Sequence, residues 1–326
     1  MFALMRIIGL KGFIVARVVH VAVGVIIGKN GAILIAKRGE NAHQGGLWEF
    51  PGGKVEDSET LFNALKRELH EELAIEVIVT EPLIKIRHDY GDKVVLLDVH
   101  KVTHFAGQPK GNEGQPVQWV APSSLCKYEF PVANRPIITA INLSQRLLIT
   151  GEFTELNNFL ARVESALQKG IRMVQLRLQK SDIILMLLEP VTELCKRYSA
   201  KLIINTSPQV FSGLSGSSNL GLHLNSTQLL SCTSRPVSRS ILLGASCHTK
   251  SEIEHAEKIG VDYICLSPVC PTSSHPEHEG MGWDAFRQLV DNATIPVYAL
   301  GGMTESDLAR ALESGAQGIA AISEWW

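Results

Sequence analysis

From Arg146 onward, short apolar runs recur about every twenty residues, with helical patterns between them. Runs at 147–150, 173–176, 202–205, 221–224, 241–245, 263–266, 297–299 and 318–321 are each long enough for one strand. Segments 153–169, 183–198, 250–259 and 305–314 carry apolar residues at helical spacing. Eight short strands alternating with helices predict a parallel (β/α)8 barrel, whose working face is the carboxyl ends of its strands. Only Ser323-Glu324-Trp325-Trp326 follows the last strand after Ile322. The eighth helix is therefore missing. Either the two tryptophans or the terminal helix of a preceding domain must cover the gap.

A chain of 326 residues is long for one core, so two domains are expected. The rhythm changes at 142–145, which lacks the Pro/Gly/Ser composition of a flexible linker. That change divides the chain into 18–141 and 146–326. Residues 1–17 precede a buried strand beginning at Val18 and read as a weakly ordered extension or a misassigned start. Arg6, Lys11, Arg17 and His20 interrupt the apolar N-terminal stretch, which argues against a membrane span or signal peptide. A net charge of −2 gives no general attraction to nucleic acid or anionic membrane. The six cysteines form no CxxC pair, so reduced thiols in a cytoplasmic protein are expected.

In the first half, strands at 18–27 and 32–37 flank Gly28-Lys29-Asn30-Gly31, a hairpin signal. Further strands are expected near 76–79, 83–88, 93–100 and 118–120, and a terminal helix within 130–141. Between them, Leu61, Leu65, Leu69 and Leu73 recur every fourth residue on one helical face, with Asp57 and Ser58 as capping candidates. Glu68, Glu71 and Glu72 share another arc, roughly 100° wide. Such close carboxylates repel one another unless a cation sits among them, and oxygen-only ligands suit Mg²⁺. Pro51-Gly52-Gly53 lets the backbone bend just ahead of them. The alternative is a solvated acidic helix face.

Gly53, Glu59 and the run Arg67-Glu68-Leu69-His70-Glu71-Glu72 with Ile75 resemble the Nudix box. Ala74 stands where that family has glycine. Should the position need φ > 0, alanine costs on the order of 1 kcal/mol. The flanking LWEFPGGKVE, EGQP and FPVANRPII resemble the MutT branch over about 18–141. The resemblance implies a Nudix α/β/α sandwich with a mixed sheet. It also implies Mg²⁺- or Mn²⁺-dependent hydrolysis of nucleoside triphosphates, oxidised guanine nucleotides such as 8-oxo-dGTP preferred, to monophosphate and pyrophosphate. Gly52 (through its carbonyl), Glu68, Glu71, Glu72 and Glu113 would hold metal. Glu68 alternatively takes the proton of the attacking water, and Arg67 orients the carboxylates. Arg38 would face the phosphates, Phe50 line the base pocket, and Asn134 read the base edge. By residue type alone, Arg38 and Glu113 suit a solvated surface, Phe50 a core, and Asn134 a helix cap as readily as a base contact.

GIRMVQLR, LIIN, GLHL, LGASCHTKSEIEHAEKIGVDYICLSPVCPT, IPVYALGGMT and SGAQGIAAIS resemble the thiamine phosphate synthase and TenI family over about 146–323. Departures fall where that family holds metal and phosphate. Thr206 replaces an aspartate, and no acid follows GLHL in Asn225-Ser226-Thr227-Gln228. Gln179 and His275 stand where lysines are expected. Gln175, Arg177, Thr272, Ser274, Gly301, Gly302 and Ser323 remain as candidates for a phosphate or pyrimidine ligand. The alternative is that the glycines only turn the chain and Arg177 is structural.

The expected whole is an α/β protein with two working units: a nucleotide pyrophosphohydrolase and a barrel that holds a thiamine-related phosphate. A hydrolase for thiamine-related pyrophosphates, and a barrel that only senses a ligand or assembles, are the alternatives.

Overall fold

The computed structural model describes residues 18–40, 44–89, 91, 93–178, 180–214, 220–272 and 279–326. The N-terminal extension, His43, Gln179, Ser274 and His275 lie outside the described residues.

The first half builds two small sheets from seven strands. These are β1 (Val18–Ile26), β2 (Ile33–Lys37), β3 (Trp48–Glu49), β4 (Gly52–Lys54), β5 (Glu76–Asp89), β6 (Val94–Ala106) and β7 (Val117–Val120). One sheet runs β4-β1-β6-β5 and is mixed: β1 lies parallel to β6, and the other pairs are antiparallel. The other runs β3-β2-β7. The expected turn between β1 and β2 forms, with Gly28 donating to the Ala32 carbonyl at 2.8 Å and Gly31 at φ 72°. The strands do not continue as a hairpin, however. They share one bridge, Ile27 to Ile33, and then part, because β4 and β6 occupy both edges of β1. The two strands expected at 76–79 and 83–88 are one long β5, kinked by register shifts on either side of Pro82.

Period-two alternation in β1 sends side chains to both faces. Ala22 and Ile26 meet Leu65, Leu69 and Leu73 of α1 (Leu61–Leu73). Val23 and Val25 meet Phe50, Leu125 and Ile137, the last on α2 (Arg135–Asn142). The sheets thus lie between α1 and α2. Gly24 lets α1 approach closely, since a Cβ there would stand 2.9 Å from Leu69 Cδ1. Thr60 caps α1, its Oγ1 accepting from Asn63 N–H at 3.2 Å. This corrects the expectation of Asp57 or Ser58, which lie in the turn before the cap; Ser58 sits at φ 68°.

The second half is a closed barrel of eight parallel strands. They are β8 (Arg146–Ile149), β9 (Met173–Arg177), β10 (Lys201–Asn205), β11 (Leu220–Leu224), β12 (Leu243–Cys247), β13 (Tyr263–Leu266), β14 (Val297–Leu300) and β15 (Gly318–Ala321). Between them come α3 (Leu156–Gln168), α4 (Ser181–Arg197), α5 (Pro208–Gly213), α6 (Ser226–Ser231), α7 (Lys250–Ile259), α8 (Gly282–Val290) and α9 (Leu308–Glu313). Alternation again sorts the core. Leu147, Ile149, Met173, Ile203, Tyr263 and Tyr298 fill the barrel, while Leu148, Val174 and Ile204 face the helices. Tyr263 and Tyr298 meet edge to face at 5.7 Å, and Gly244 leaves the room that Tyr263 occupies.

The two tryptophans pack over the gap that follows β15. Trp325 joins the outer core, and Trp326 packs on Phe159 at 4.7 Å with the Arg162 guanidinium over its ring. At the opposite end, Leu143 enters the barrel's inner cluster, and Gln317 donates to the carbonyls of Ala140 and Leu143. No helix among the described residues is long and apolar enough to cross a membrane.

Candidate active site

Packing of the leucine stripe against β1 leaves the opposite arc of α1 facing the bend at Gly52-Gly53. Gly52 adopts φ 148°, and a side chain there would strike the Ala22 carbonyl. A Cβ on Gly53 would overlap the Glu68 carboxyl. The two glycines are thus required by close approach of backbone to backbone and of backbone to carboxylate. Glu72 Oε2 accepts from Gly52 N–H at 3.2 Å. Gly52, Gly53, Glu68 and Glu72 line one open cleft with residues 54–57.

Arg67 turns away from that cleft to hold its wall. The guanidinium donates to Glu68 at 2.8 Å, to both Glu59 oxygens at 3.1 and 2.9 Å, and to the Lys54 carbonyl at 3.0 Å. Those bonds hold the Glu59 carboxyl below the usual range. Glu71 approaches Arg67 at 3.8 Å and is more than half exposed. As they stand, no three His, Cys, Asp or Glu side chains among the described residues converge closely enough to enclose a metal ion.

The chemistry of the donor set nevertheless fits a cation. Burial pushes Glu72 up to about 8, with Glu49, Glu68 and Glu113 adding repulsion against the Gly52 hydrogen bond. Three carboxylates therefore act electrostatically on Glu72. Glu113 is exposed in the loop before β7, close enough for its charge to act on Glu72. Glu49 is a site residue that sequence reasoning missed. It lies on β3 with its own carboxyl raised by burial, against the opposing charge of Arg38. The residue before Phe50 was the available signal, since strand alternation turns it away from the Phe50 side. Arg38, expected at the phosphates, forms an ion pair with Glu49.

Phe50 is buried and stacks on Phe130 at 5.2 Å, within the core shared with α2. Asn134 is buried too and makes no capping hydrogen bond to α2. Ala74 ends α1 at φ 56°, ψ 36°, the left-handed conformation that glycine would adopt freely.

At the carboxyl ends of the barrel strands, Gln175 is buried inside and its Oε1 has no hydrogen-bond partner. Arg177 ends β9, its N–H donating to Thr150 Oγ1 at 3.0 Å and its side chain exposed. His223, which sequence reasoning also passed over, is fully buried between Tyr263 OH at 3.3 Å and Ser246 Oγ at 2.9 Å. Burial pushes it down to about 3, with the Arg177 charge adding to the effect. Thr206 is buried just beyond β10, and Asn225 is engaged in a capping box with Gln228. Neither position carries a charge. Gly301 (φ 101°) and Gly302 (φ 67°) are demanded by neighbouring chain: a Cβ would stand 2.8 Å from Pro268 Cα and 2.6 Å from the Pro271 carbonyl. Thr272 is half-buried, and Ser323 is exposed beyond β15.

Residues 147–325 match the family model for thiamine monophosphate synthase, and residues 22–140 match the NUDIX domain. A putative thiamine-phosphate synthase 2 of Aquifex aeolicus is 37% identical over 168 residues, 51% of this chain and 89% of that protein. The 8-oxo-dGTP diphosphatase of Escherichia coli is 37% identical over 122 residues, 37% of this chain and 95% of that protein. A solved MutT structure, from work on Aliivibrio salmonicida and Vibrio cholerae, is 39% identical with TM-score 0.35, covering 38% of this chain and 97% of that one. The chain belongs to the thiamine monophosphate synthase family through its barrel, and carries ahead of it, in the same polypeptide, a Nudix domain homologous to 8-oxo-dGTP diphosphatases.

Proposed function

We propose that residues 18–141 hydrolyse oxidised nucleoside triphosphates such as 8-oxo-dGTP to a nucleoside monophosphate and pyrophosphate, and that residues 146–326 hold a thiamine-related phosphate. One observation carries the first part: Glu72 is clasped by the Gly52 N–H and surrounded by the charges of Glu49, Glu68 and Glu113. Glu68, Glu71, Glu72, Glu113 and the Gly52 carbonyl would hold Mg²⁺ or Mn²⁺. Such a cation supplies neutralisation of phosphate charge and makes water easier to ionise.

The chain's own groups do the rest. Glu68, where it is not itself a metal ligand, accepts the proton of the attacking water, and Arg67 fixes its carboxylate. The water oxygen bonds to phosphorus as the α–β phosphoanhydride P–O bond breaks, and the departing phosphate oxygen takes the electron pair, giving nucleoside monophosphate and pyrophosphate. The Phe50–Phe130 stack offers an aromatic wall to a base. Asn134, unused as a cap, has donor and acceptor to offer a base edge. Arg38 meets the phosphates from its place on Glu49. Six free cysteines accord with a reducing cytoplasmic setting, where nucleotide pools are found.

The barrel binds more than it transforms. Neutral Thr206 and the committed cap Asn225 leave no carboxylate pair to neutralise a departing pyrophosphate. Gln175, Arg177, Thr272, Ser274, Gly301, Gly302 and Ser323 are its candidate ligand contacts. Fusion to that barrel favours one second reading, a hydrolase for thiamine-related pyrophosphates. A single panel separates the two: 8-oxo-dGTP, dGTP, CTP and thiamine pyrophosphate with the full chain and Mg²⁺, products resolved by ion exchange. Preference for 8-oxo-dGTP with release of pyrophosphate supports the first reading. Preference for thiamine pyrophosphate overturns it.

A further inference from the structure

The last carbonyls of a helix have no partners within it and must find donors elsewhere. In α1 the last four belong to His70, Glu71, Glu72 and Leu73; the cap residue Ala74 serves His70 through its N–H at 3.0 Å, and two of the other three residues are proposed ligands. Their donors come from one loop. Lys110 N–H donates to the Leu73 carbonyl at 3.1 Å, and Asn112 N–H to the Glu72 carbonyl at 2.9 Å. Asn112 Nδ2 donates to the Glu71 carbonyl at 2.9 Å, and Gln115 Nε2 to the Glu72 carbonyl at 2.9 Å. The same Gln115 side chain accepts, through Oε1, from Glu113 N–H at 3.0 Å. The loop is tightly built for this: Gly114 N–H donates to the Gly111 carbonyl at 3.1 Å, and a side chain on Gly111 would strike the Gln115 carbonyl.

We propose that Gln115 is a positioning residue whose single amide holds the Glu72 and Glu113 backbones in fixed relation, so that the loop carboxylate meets a cation held by the helix. The inference rests on the ligand reading given above. An amide is the group that can do this, because it donates at one end and accepts at the other. Glutamate would keep the acceptor for Glu113 N–H and lose the donor to the Glu72 carbonyl. Alanine would lose both. The Asn112 side-chain amide secures the neighbouring turn of the helix through the Glu71 carbonyl and not the Glu113 N–H, so its loss should act on the helix end alone.

The test is a double-mutant cycle read by Mn²⁺ binding, counting free Mn²⁺ by electron paramagnetic resonance in the full chain without substrate. Gln115→Ala should weaken Mn²⁺ binding about 10- to 100-fold, the range for groups that orient metal ligands. Gln115→Glu should weaken it too, and thermal melting of each variant shows whether it is folded. In a Glu113→Ala background the Gln115→Ala effect should vanish, since the amide then positions nothing. An equal loss in both backgrounds makes Gln115 merely structural and overturns the proposal. Unchanged binding in folded Gln115→Ala beside weakened binding in Glu113→Ala also overturns it, leaving Glu113 a ligand. Unchanged binding in Glu113→Ala removes the ligand assignment itself, and the proposal with it.

Discussion

Proton release on metal binding follows from the position of Glu72. Its carboxyl, ordinarily near 4.5, is pushed up to about 8, first by burial and then by Glu49, Glu68 and Glu113. At pH 7 a group of that pKa is about 90% protonated, and at pH 9 about 10%. A cation bound by its oxygens must displace the proton. Binding of Mg²⁺ at pH 7 should therefore release about 0.9 proton, and no less than about 0.5 if the pKa lies a unit lower. At pH 9 the number should fall to about 0.1. The logarithm of Mg²⁺ affinity should accordingly rise about one unit per pH unit up to 8 and then flatten. The same shift has a stability sign. An acid whose pKa rises on folding binds its proton more tightly when folded. The metal-free N-terminal half should thus lose stability as pH climbs from about 4.5 through 8, by roughly 5 kcal/mol at the most. Mg²⁺ should restore it. Isothermal titration calorimetry in two buffers of different ionisation enthalpy counts the protons directly. Glu72→Gln should abolish the buffer dependence. A wild-type heat that is independent of buffer at pH 7, or a Glu72→Gln variant that still releases a proton, refutes the reasoning.

Ala74→Gly should raise the stability of the N-terminal half by about 0.5–1 kcal/mol, seen as a rise of a few degrees in its calorimetric transition. Relief of the left-handed strain, about 1–2 kcal/mol, outweighs the extra chain entropy of glycine. Gly53→Ala should lower hydrolysis by about 10²-fold with little change in melting, because the new Cβ must displace the Glu68 carboxyl. Arg67→Lys should reduce kcat more than KM, since an ammonium cannot span Glu59, Glu68 and the Lys54 carbonyl at once. Steady-state kinetics on 8-oxo-dGTP checks both variants.

Much of the fold was legible because burial writes itself as period. All eight barrel strands lie within about two residues of their apolar runs, since each run forms one strand of the closed sheet. The stripe of α1 was legible for the same reason. Partition of β1 and β2 into different sheets was not: both strands alternate alike, and only the arrival of β4 and β6 decides the edges of β1. The cap at Thr60 was missed because Asp57 and Ser58 lie within one turn of it, and the leucine stripe locates a helix start only to within a turn. Within the candidate site, Glu68 and Glu72 announce themselves by spacing, but Glu49 and the Gln115 amide act across the fold. Their roles depend on which backbone groups end up facing them. The value of Ala74 was conditional on φ, which the structure places at 56°.

A crystal of the full chain grown with Mn²⁺ and measured at the manganese absorption edge puts the central idea to its most direct test. An anomalous peak should stand between Glu68, Glu72 and the Gly52 carbonyl, within reach of Glu113. A peak elsewhere, or none at an Mn²⁺ concentration that supports hydrolysis, would contradict it.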